Sequence, residues 1–288
     1  MEQYLFVILH YNTADDTMEC AASIEKVCGQ ADYHILIVDN GSPNGSGARL
    51  EALYAGDPHV TVLLSRENLG FARGNNIGFA YAKEHFHPDY IILLNNDTVL
   101  YQQDFLPIIS RTYRARGYAV LGPMMLTADG RCDQNPLRCG PISRESVLQT
   151  IRAIKIRLFC ARYHLLWTAG LYKKFLKKPA VRPKPYLAQE NVKLHGFCLI
   201  FSKPYIERFD GLDSRTFMYG EEDFLQKRLQ DHHLLSLYCP ELAVYHKEGG
   251  STQHTYRNRR KKFLFFWENS LKSMEILLAD FPAGPSAN

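Results

Sequence analysis

Four clusters of polar residues near the start of the chain each follow a short apolar run. The clusters are His10–Asn12, Asp39–Ser42, residues 68–76 and Asn95–Asp97. Their carboxylates and amides are of the kind that holds a divalent cation or the polar groups of a small ligand. A turn would explain any single cluster, because Asn, Asp and Gly favour turns. Four clusters that all follow apolar runs are typical of a binding site.

The apolar runs that precede these clusters predict buried strands. They are Leu5–Leu9, His34–Val38, Val60–Leu64 and Tyr90–Leu94. Their apolarity is continuous rather than alternating, which predicts a mostly parallel sheet covered on both faces. Thr13, with Asp16 three residues later, predicts the start of a helix, and Gly74–Lys83 predicts another. The order βαβαβαβ indicates an α/β fold with a doubly wound, Rossmann-like sheet that binds ligands at the carboxyl ends of its strands.

The common phosphate-binding motifs of such sheets are absent from the sequence. There is no G-x-x-x-x-G-K-[ST] segment, and the turn after the first strand lacks the glycines of a dinucleotide site. A metal ion on a carboxylate is another means of holding phosphates. Asp97 follows the fourth strand, and Mg²⁺ or Mn²⁺ commonly uses one or two carboxylates together with phosphate oxygens. We therefore expect Mg²⁺ or Mn²⁺ as a cofactor.

The ordered set of motifs resembles glycosyltransferase family 2, and within it the bacterial rhamnosyltransferase-like branch. The resemblance rests on Val38–Ser42, residues 68–76, Leu93–Asp97, His195–Phe197, Phe209–Asp213, Phe217–Asp223, Arg228, Pro240 and Val244–His246. Each motif alone is weak, but the set in this order is specific. The resemblance covers about residues 4–250 apart from a basic insert. It implies the GT-A fold and an inverting transferase that uses a nucleotide sugar.

The resemblance also implies which residues bind the donor. Asn12 and Asp39 would contact the nucleotide base and ribose, and Gly70 would let the backbone approach the sugar closely. Asn95 stands where the family has the first acid of its Asp-x-Asp motif, so Asp97 alone would supply the charged metal contact. His246 would be a further metal or diphosphate ligand, although a lone histidine also suits a packed or surface position. The donor-binding candidates are Tyr11, Asn12, Asp39, Asn40, Asn68, Gly70, Arg73, Asn76, Asn95 and Asn96.

The catalytic base is expected among Glu221, Glu222 and Asp223. An inverting transfer needs a carboxylate that accepts the proton of the acceptor hydroxyl. Alignment without gaps places Glu222 on the family's base aspartate, whereas a shift by one residue selects Asp223. Three adjacent acids should raise one another's pKa, which helps a base if one is buried. The triplet also suits the acidic first turn of a helix, so a purely structural role stays open.

Length and charge divide the 288 residues into four parts. We expect a nucleotide-sugar-binding half over 1–125, a basic amphipathic insert over 126–190, an acceptor and catalytic half over 191–250 and a basic-aromatic helical tail over 251–288. In the second half, strands are predicted over 194–201, 234–238 and 242–245, and helices over 222–230 and 256–278. The net charge is only +4, but eleven Lys or Arg accompany a single acid, Glu145, between Arg144 and Lys184. The composition, 46% hydrophobic and 22% charged, excludes a disordered, collagen-like or coiled-coil protein.

The basic insert has three interpretations: a solvated loop, a nucleic-acid-binding segment, or an amphipathic segment on an anionic membrane surface. The membrane is favoured, because acceptors in the resembled branch are lipid-linked and because apolar residues alternate with Arg and Lys at Ile151, Ile154, Leu158, Leu165 and Leu166. Only composition supports nucleic acid, so no nucleic-acid partner is expected. Three roles are open for the tail: it supports the membrane attachment, it packs on the domain, or it forms a homodimer contact.

The expected activity is transfer of a sugar, rhamnose first, from a dTDP- or UDP-sugar to a hydroxyl of a bacterial surface polysaccharide or lipid-linked glycan. Scattered cysteines and the lack of a basic leader predict a cytoplasmic protein, peripheral on the inner face of the plasma membrane. A sugar nucleotidyltransferase is an alternative, but residues 10–13 lack the glycine- and basic-rich loop that it needs. A second alternative is a non-catalytic nucleotide-binding or scaffold protein. It is suggested by Asn95, which stands in place of the first acid of the Asp-x-Asp motif.

Overall fold

The first half of the chain forms a parallel sheet with helices between its strands. A computed structural model describes residues 2–127, 135–163, 187–247 and 259–282. Strands β1–β4 are Gln3–His10, Asp32–Asp39, Val60–Leu64 and Tyr90–Asn95, and helices α1–α4 are Ala14–Cys28, Ser46–Leu53, Phe71–His85 and Phe105–Arg116. β1 pairs in parallel with β2 and β4, and β2 with β3. The predicted strands and their α/β order are confirmed.

The second half adds strands of both directions to the same sheet. These are β5 Thr98–Val99, β6 Val120–Leu126, β8 Gln189–Glu190, β10 Cys198–Ser202 and β11 Ser236–His246, with a separate pair β7 Arg138–Cys139 and β9 Val192–Lys193. β10 lies antiparallel between β4 and β6, and β11 is parallel to β6. The order across the sheet is β3-β2-β1-β4-β10-β6-β11-β5, with β8 paired to β11. The carboxyl ends of β1, β2, β4 and β11 therefore share one edge.

Two predictions for the second half are wrong in detail. The strand expected over 194–201 begins only at Cys198, because the preceding backbone N–H groups of His195 and Phe197 bond to side chains. The strands expected over 234–238 and 242–245 are one strand, β11, whose pairing with β6 shifts register between Cys239 and Ala243. Pro240 lies in this bulge, where the absence of its N–H leaves no ladder bond unmade.

The sheet is buried on both faces, as its continuous apolar runs predict. Along β1, Tyr4, Phe6 and Ile8 belong to one apolar cluster, whereas Leu5 and Val7 belong to the other. Successive side chains of a strand point to opposite faces, so a strand without polar alternation needs cover on both sides. The helices between the strands provide that cover.

The insert and the tail form a helix pair. The remaining helices are α5 Arg144–Arg162, α6 Lys203–Ile206, α7 Glu221–Asp231 and α8 Arg259–Leu278. Ile151, Ile154 and Leu158 of α5 are buried with Met274 and Leu277 of α8 in one apolar cluster. The expectation that these three α5 residues face a membrane is therefore wrong, since they already cover an apolar face of the same chain. Leu165, Leu166 and the start of the predicted tail helix, 256–258, lie outside the described residues.

Within the described ranges, no helix combines the length and the hydrophobicity that a membrane crossing needs. Among the described residues, Cys20, Cys28, Cys160, Cys198 and Cys239 form no disulfide.

Close packing of α3 on the sheet gives a test of the core. A Cβ atom at Gly78 would lie 2.4 Å from Cγ1 of Val7 and 3.0 Å from Cγ2 of Val38. Gly78→Ala should therefore lower the free energy of unfolding by about 1–3 kcal/mol, measured by urea denaturation. At an exposed helix position the same change would raise it by about 1 kcal/mol. The exposed Ala80 in the same helix provides the control, since Ala80→Gly reports propensity alone. A Gly78→Ala protein more stable than the wild type would contradict the packing described.

Candidate active site

A cavity of about 920 Å³ lies where β1 and β2 end. Tyr11, Asn12, Asn44 and Arg49 are among its lining residues. Asn12 has a left-handed backbone, with φ of 67°, and its N–H donates to Oγ of Ser42 at 2.9 Å. Its side-chain oxygen is buried and accepts no hydrogen bond within the described chain. Asn12 is thus held by its backbone, and the described chain leaves the hydrogen-bonding capacity of its amide oxygen unused.

Asp39 and Asn40 are both buried at the end of β2 but differ in what they can bind. Asp39 accepts hydrogen bonds from the N–H and the hydroxyl of Ser42. The amide of Asn40 donates to Oδ1 of Asn68 at 3.2 Å and to the carbonyl of Gly70 at 3.1 Å, and it accepts from the N–H of Leu69. Asn40, a donor-binding candidate, therefore positions the 68–70 loop, and its amide is spent on that task.

The loop after β3 and the start of α3 contain one fixed glycine and two side chains that bond elsewhere. Gly70 has φ of 84°, and a Cβ there would lie 1.9 Å from the carbonyl oxygen of Phe217. Asn76 exchanges two hydrogen bonds with the backbone of Leu212, at 2.7 and 2.8 Å. Arg73 donates from Nε to the carbonyl of Ser214 at 2.9 Å. The amide of Asn76, like that of Asn40, is used to hold the fold rather than offered to a donor.

Asp97 and His246 meet at the shared sheet edge, although 149 positions separate them in the chain. Nε2 of His246 lies 3.1 Å from Oδ1 of Asp97, and both side chains are about nine-tenths buried. Nδ2 of Asn95 lies 3.5 Å from the same Nε2. Asn96 points the other way and donates to Oγ1 of Thr13 and of Thr17. Asn96 therefore anchors the start of α1, and Thr13 accepts this bond instead of capping α1 with its side chain.

The Asp97–His246 pair fits a divalent cation as a partial ligand set. A carboxylate oxygen and an imidazole nitrogen are both ligands for Mn²⁺, and imidazole suits Mn²⁺ better than Mg²⁺. Among the described residues, no group of three or more His, Cys, Asp and Glu side chains is arranged to hold a metal. The remaining ligands would have to come from water and from the phosphates of a bound molecule, which is a common arrangement for Mg²⁺ and Mn²⁺ at phosphate sites.

The three acids at the start of α7 have three different environments. Glu221 is buried, its Oε1 has no hydrogen-bond partner among the described residues, and burial followed by the charge of Glu222 raises its pKa to about 8. Asp223 forms an ion pair with Lys193, with 2.9 Å between Oδ1 and Nζ. Glu222 is half-buried, and its Oε1 accepts from the N–H of Gly196 at 3.3 Å. The expected influence of an adjacent acid is thus seen at Glu221, where it is second to burial.

All three acids line a cleft of about 500 Å³, here called the α7 cleft. Its floor includes Asn95 and the His195–Phe197 segment, and its far wall comes from α5 and α8. The wall residues are Thr150, Ile154, Phe266, Trp267, Ser270 and Met274. The walls lie close together at Gly220, which has φ of 100°. A Cβ atom added there would lie only 2.9 Å from Cβ of Ser273. Carboxylates therefore face a largely apolar chamber.

Sequence reasoning missed several residues of this cleft. His195 is not among the catalytic, donor-binding or metal candidates, yet it lines the cleft with its ring centroid 6.4 Å from that of His246. Lys193, the partner of Asp223, was not considered, and neither were Phe266 and Trp267 as cleft residues. The signal for His195 was its place in the His195–Phe197 motif. For Lys193 and the α8 aromatics no motif was present, and only the fold brings them together.

Burial of Glu221 predicts a pH dependence of stability. Its pKa is about 8 in the folded chain against an ordinary 4.5, so the folded state keeps a proton that the unfolded chain releases. The stability that comes from this retained proton is fully present below about pH 4.5 and is lost as the pH rises through about 8. As the pH rises from about 5.5 to about 8.5, the free energy of unfolding of Glu221→Gln should increase by on the order of 2–4 kcal/mol relative to that of the wild type. Urea unfolding at each pH measures this difference. Glu207→Gln, at an exposed position, is the control and should show the pH dependence of the wild type. If the stability of Glu221→Gln depended on pH as that of the wild type does, Glu221 would not be buried as described.

Known proteins resemble this chain in sequence. A model of glycosyl transferase family 2 matches residues 6–166. The chain is 25% identical over 243 residues to the N-acetylglucosaminyl-diphospho-decaprenol L-rhamnosyltransferase of Mycobacterium tuberculosis, covering 80% of this chain and 73% of that protein. It is 21% identical over 282 residues to the low-salt glycan biosynthesis hexosyltransferase of Haloferax volcanii, covering 96% and 78%.

The fold also matches a solved structure. S. aureus TarS superposes with a TM-score of 0.53 at 11% identity, over 86% of this chain and 60% of that one. At this identity the likeness bears on the fold alone, and it confirms the expected mixed α/β, GT-A-like architecture. Because the family model spans more than half of the chain, we conclude that the chain belongs to glycosyl transferase family 2 and is a glycosyltransferase.

Proposed function

We propose that this glycosyltransferase inverts the anomeric centre of a sugar as it moves it from a nucleotide diphosphate to a hydroxyl of a surface glycan or lipid-linked glycan. The observation that carries the proposal is the contrast among the three acids. Asp223 is neutralised by Lys193, and burial keeps Glu221 protonated at neutral pH. Glu222 lines the cleft, is half-buried and makes no ion pair among the described residues. Glu222 is therefore the base, in preference to Asp223.

The proposed reaction is a single displacement. The acceptor oxygen attacks C1 of the donor sugar from the face opposite the diphosphate while its proton passes to the Glu222 carboxylate. The new C1–O bond forms as the bond between C1 and the diphosphate oxygen breaks, through a transition state with oxocarbenium character. The N–H of Gly196 on Oε1 of Glu222 orients the carboxylate. The apolar wall excludes water, which would otherwise compete with the acceptor.

Asp97 and His246 are the residues that would hold Mg²⁺ or Mn²⁺. When bound, such an ion offsets the negative charge that develops on the leaving diphosphate. Asn95 lies beside the pair and, as an uncharged residue, adds no ionic attraction. Metal affinity should accordingly be lower than with a second carboxylate at this position.

For the donor we propose dTDP-rhamnose first, with a UDP-hexose or UDP-galactofuranose next. The name of the M. tuberculosis relative is that of an L-rhamnosyltransferase, which supports rhamnose. S. aureus TarS was solved in complex with UDP, which supports a pyrimidine nucleotide. The nucleotide would occupy the cavity lined by Tyr11 and Asn12, where the amide of Asn12, whose oxygen has no partner in the described chain, would turn toward a base or ribose and accept from it. The acceptor would enter the α7 cleft, and the decaprenol in the relative's name supports a lipid-linked one.

Glu222→Gln tests the base. The variant should lose about 10²–10⁴-fold in kcat and keep its affinity for the nucleotide, because Gln fills the same volume without accepting a proton. The measurement is release of nucleoside diphosphate from dTDP-rhamnose with a synthetic N-acetylglucosaminyl-diphospho-polyprenol as the acceptor. Glu207→Gln, on the exposed surface, should behave as wild type. Full turnover by Glu222→Gln would remove Glu222 from the chemistry, and absence of turnover in wild type with retained nucleotide binding would favour the scaffold alternative.

Asp97→Asn tests the metal. Calorimetric titration of dTDP and UDP, each with Mn²⁺ and with EDTA, should show metal-dependent binding of one nucleotide. Asn at position 97 keeps the shape but removes the charge, so affinity in Mn²⁺ should fall at least tenfold while the residual affinity in EDTA stays unchanged. Equal binding with and without metal would overturn the metal assignment, and no binding under any condition would overturn the donor site.

A further inference from the structure

The outer side of α5 carries apolar side chains that nothing in the described chain covers. Ile156, Phe159 and Tyr163 are 61%, 57% and 66% exposed. The rings of Phe159 and Tyr163 lie 4.7 Å apart at the end of the helix. Together with Arg152 these residues define the outer strip of α5.

The outer strip lies opposite the packed face of the helix. At 100° per residue, spacings of three and four bring Arg152, Ile156, Phe159 and Tyr163 onto one side. Ile151, Ile154 and Leu158, which pack on α8, lie on the other side. Three of the eight large hydrophobic residues exposed in the described chain fall within two turns of this one helix. Such clustering marks an interaction surface, whereas scattered exposed residues need no explanation.

The charges around the outer strip are positive. Arg152 is exposed and forms no ion pair among the described residues, whereas Lys155 and Arg162 pair with Glu275 and Glu268 of α8. The sequence has no acid between Glu145 and Tyr163. A partner of this surface must therefore accept apolar side chains and supply negative charge at its rim.

We propose that the outer strip docks on an anionic lipid bilayer, with Ile156, Phe159 and Tyr163 in the headgroup boundary and Arg152 on the lipid phosphates. Aromatic and aliphatic residues beside basic ones are the composition of interfacial helices. A second copy of the chain fits less well, because the two faces of a two-fold contact are identical and the strip carries no acid that could meet Arg152 of the other copy. The face that meets the bilayer differs from the Ile151–Leu158 face that composition alone suggests.

Docking in this way has a consequence for the α7 cleft. Thr150 and Ile154 of the same helix line the cleft, so α5 would have the bilayer on one side and the acceptor site on the other. This consequence rests on the proposed lipid-linked acceptor. The docking itself does not, since it follows from exposure and charge.

The test is flotation of the full chain with vesicles of phosphatidylcholine, with and without phosphatidylglycerol. Wild type should bind the anionic vesicles at least tenfold more tightly than the neutral ones. Ile156→Ser/Phe159→Ser should weaken this binding at least tenfold, and Arg152→Gln should weaken it two- to threefold. Leu53→Ser/Leu64→Ser, which changes two similarly exposed residues on the opposite half of the chain, should bind as wild type. All of these positions are exposed, and unchanged thermal unfolding confirms that each variant is folded.

Three outcomes would overturn the proposal. They are failure of wild type to bind anionic vesicles, binding that both double variants retain, and a dimer in solution that Ile156→Ser/Phe159→Ser converts to a monomer. The second outcome would assign lipid binding to other basic residues, and the third would assign the strip to a second copy. Calorimetric titration of the nucleotide on the same variants separates the two proposals, because a failed donor site leaves vesicle binding intact and a failed strip leaves nucleotide binding intact.

Discussion

Three adjacent carboxylates cannot all be buried as anions, and the active site is organised around that constraint. One cation, Lys193, neutralises Asp223, and a retained proton neutralises Glu221. Glu222 lines the same cleft without an ion pair among the described residues, and its Oε1 accepts from the N–H of Gly196. The three positions carry nearly the same side-chain chemistry, so their surroundings, and not their residue types, make them different. All three acids stand in the first turn of α7, where the helix dipole favours negative charge.

The sheet topology supplies the partners of this turn. β10 enters antiparallel beside β4, so the segment that precedes it, His195–Phe197, lies at the edge where β4 ends. β11 runs parallel to β6 and delivers His246 to that same edge, 3.1 Å from Asp97. A purely parallel sheet would have left one of these two segments at the opposite edge. The polar clusters of the first half therefore form a closed site only together with the mixed second half of the sheet.

The sequence predicts the first half well because its strands are continuous apolar runs with turn residues at their ends, and both signals are local. Asn40, Asn76 and Asn96 show the limit of that logic. Each is an amide in the expected cluster, but each spends its hydrogen bonds on the loop, helix or strand beside it. Whether an amide faces a ligand or the fold depends on contacts 28 to 136 positions away. Lys193, Phe266 and Trp267 escaped prediction for the same reason, since long-range packing alone makes them neighbours of Glu222.

The helix pair α5–α8 supplies the part of the α7 cleft for which the sequence carries no recognisable motif. The shared motifs supply the acids of α7 and the polar edge of the sheet, whereas the wall facing Glu222 comes from 144–162 and 259–278, where no motif was found. Gly220 has no side chain, and α8 lies directly against it, so the wall is fixed relative to the acids of α7. Arg157 lies over the ring of Trp267, with 4.5 Å to its centroid, and thereby holds an aromatic residue of that wall. If the acceptor enters the α7 cleft as proposed, the apolar and aromatic side chains of this wall favour an acceptor with apolar surface beside its reacting hydroxyl.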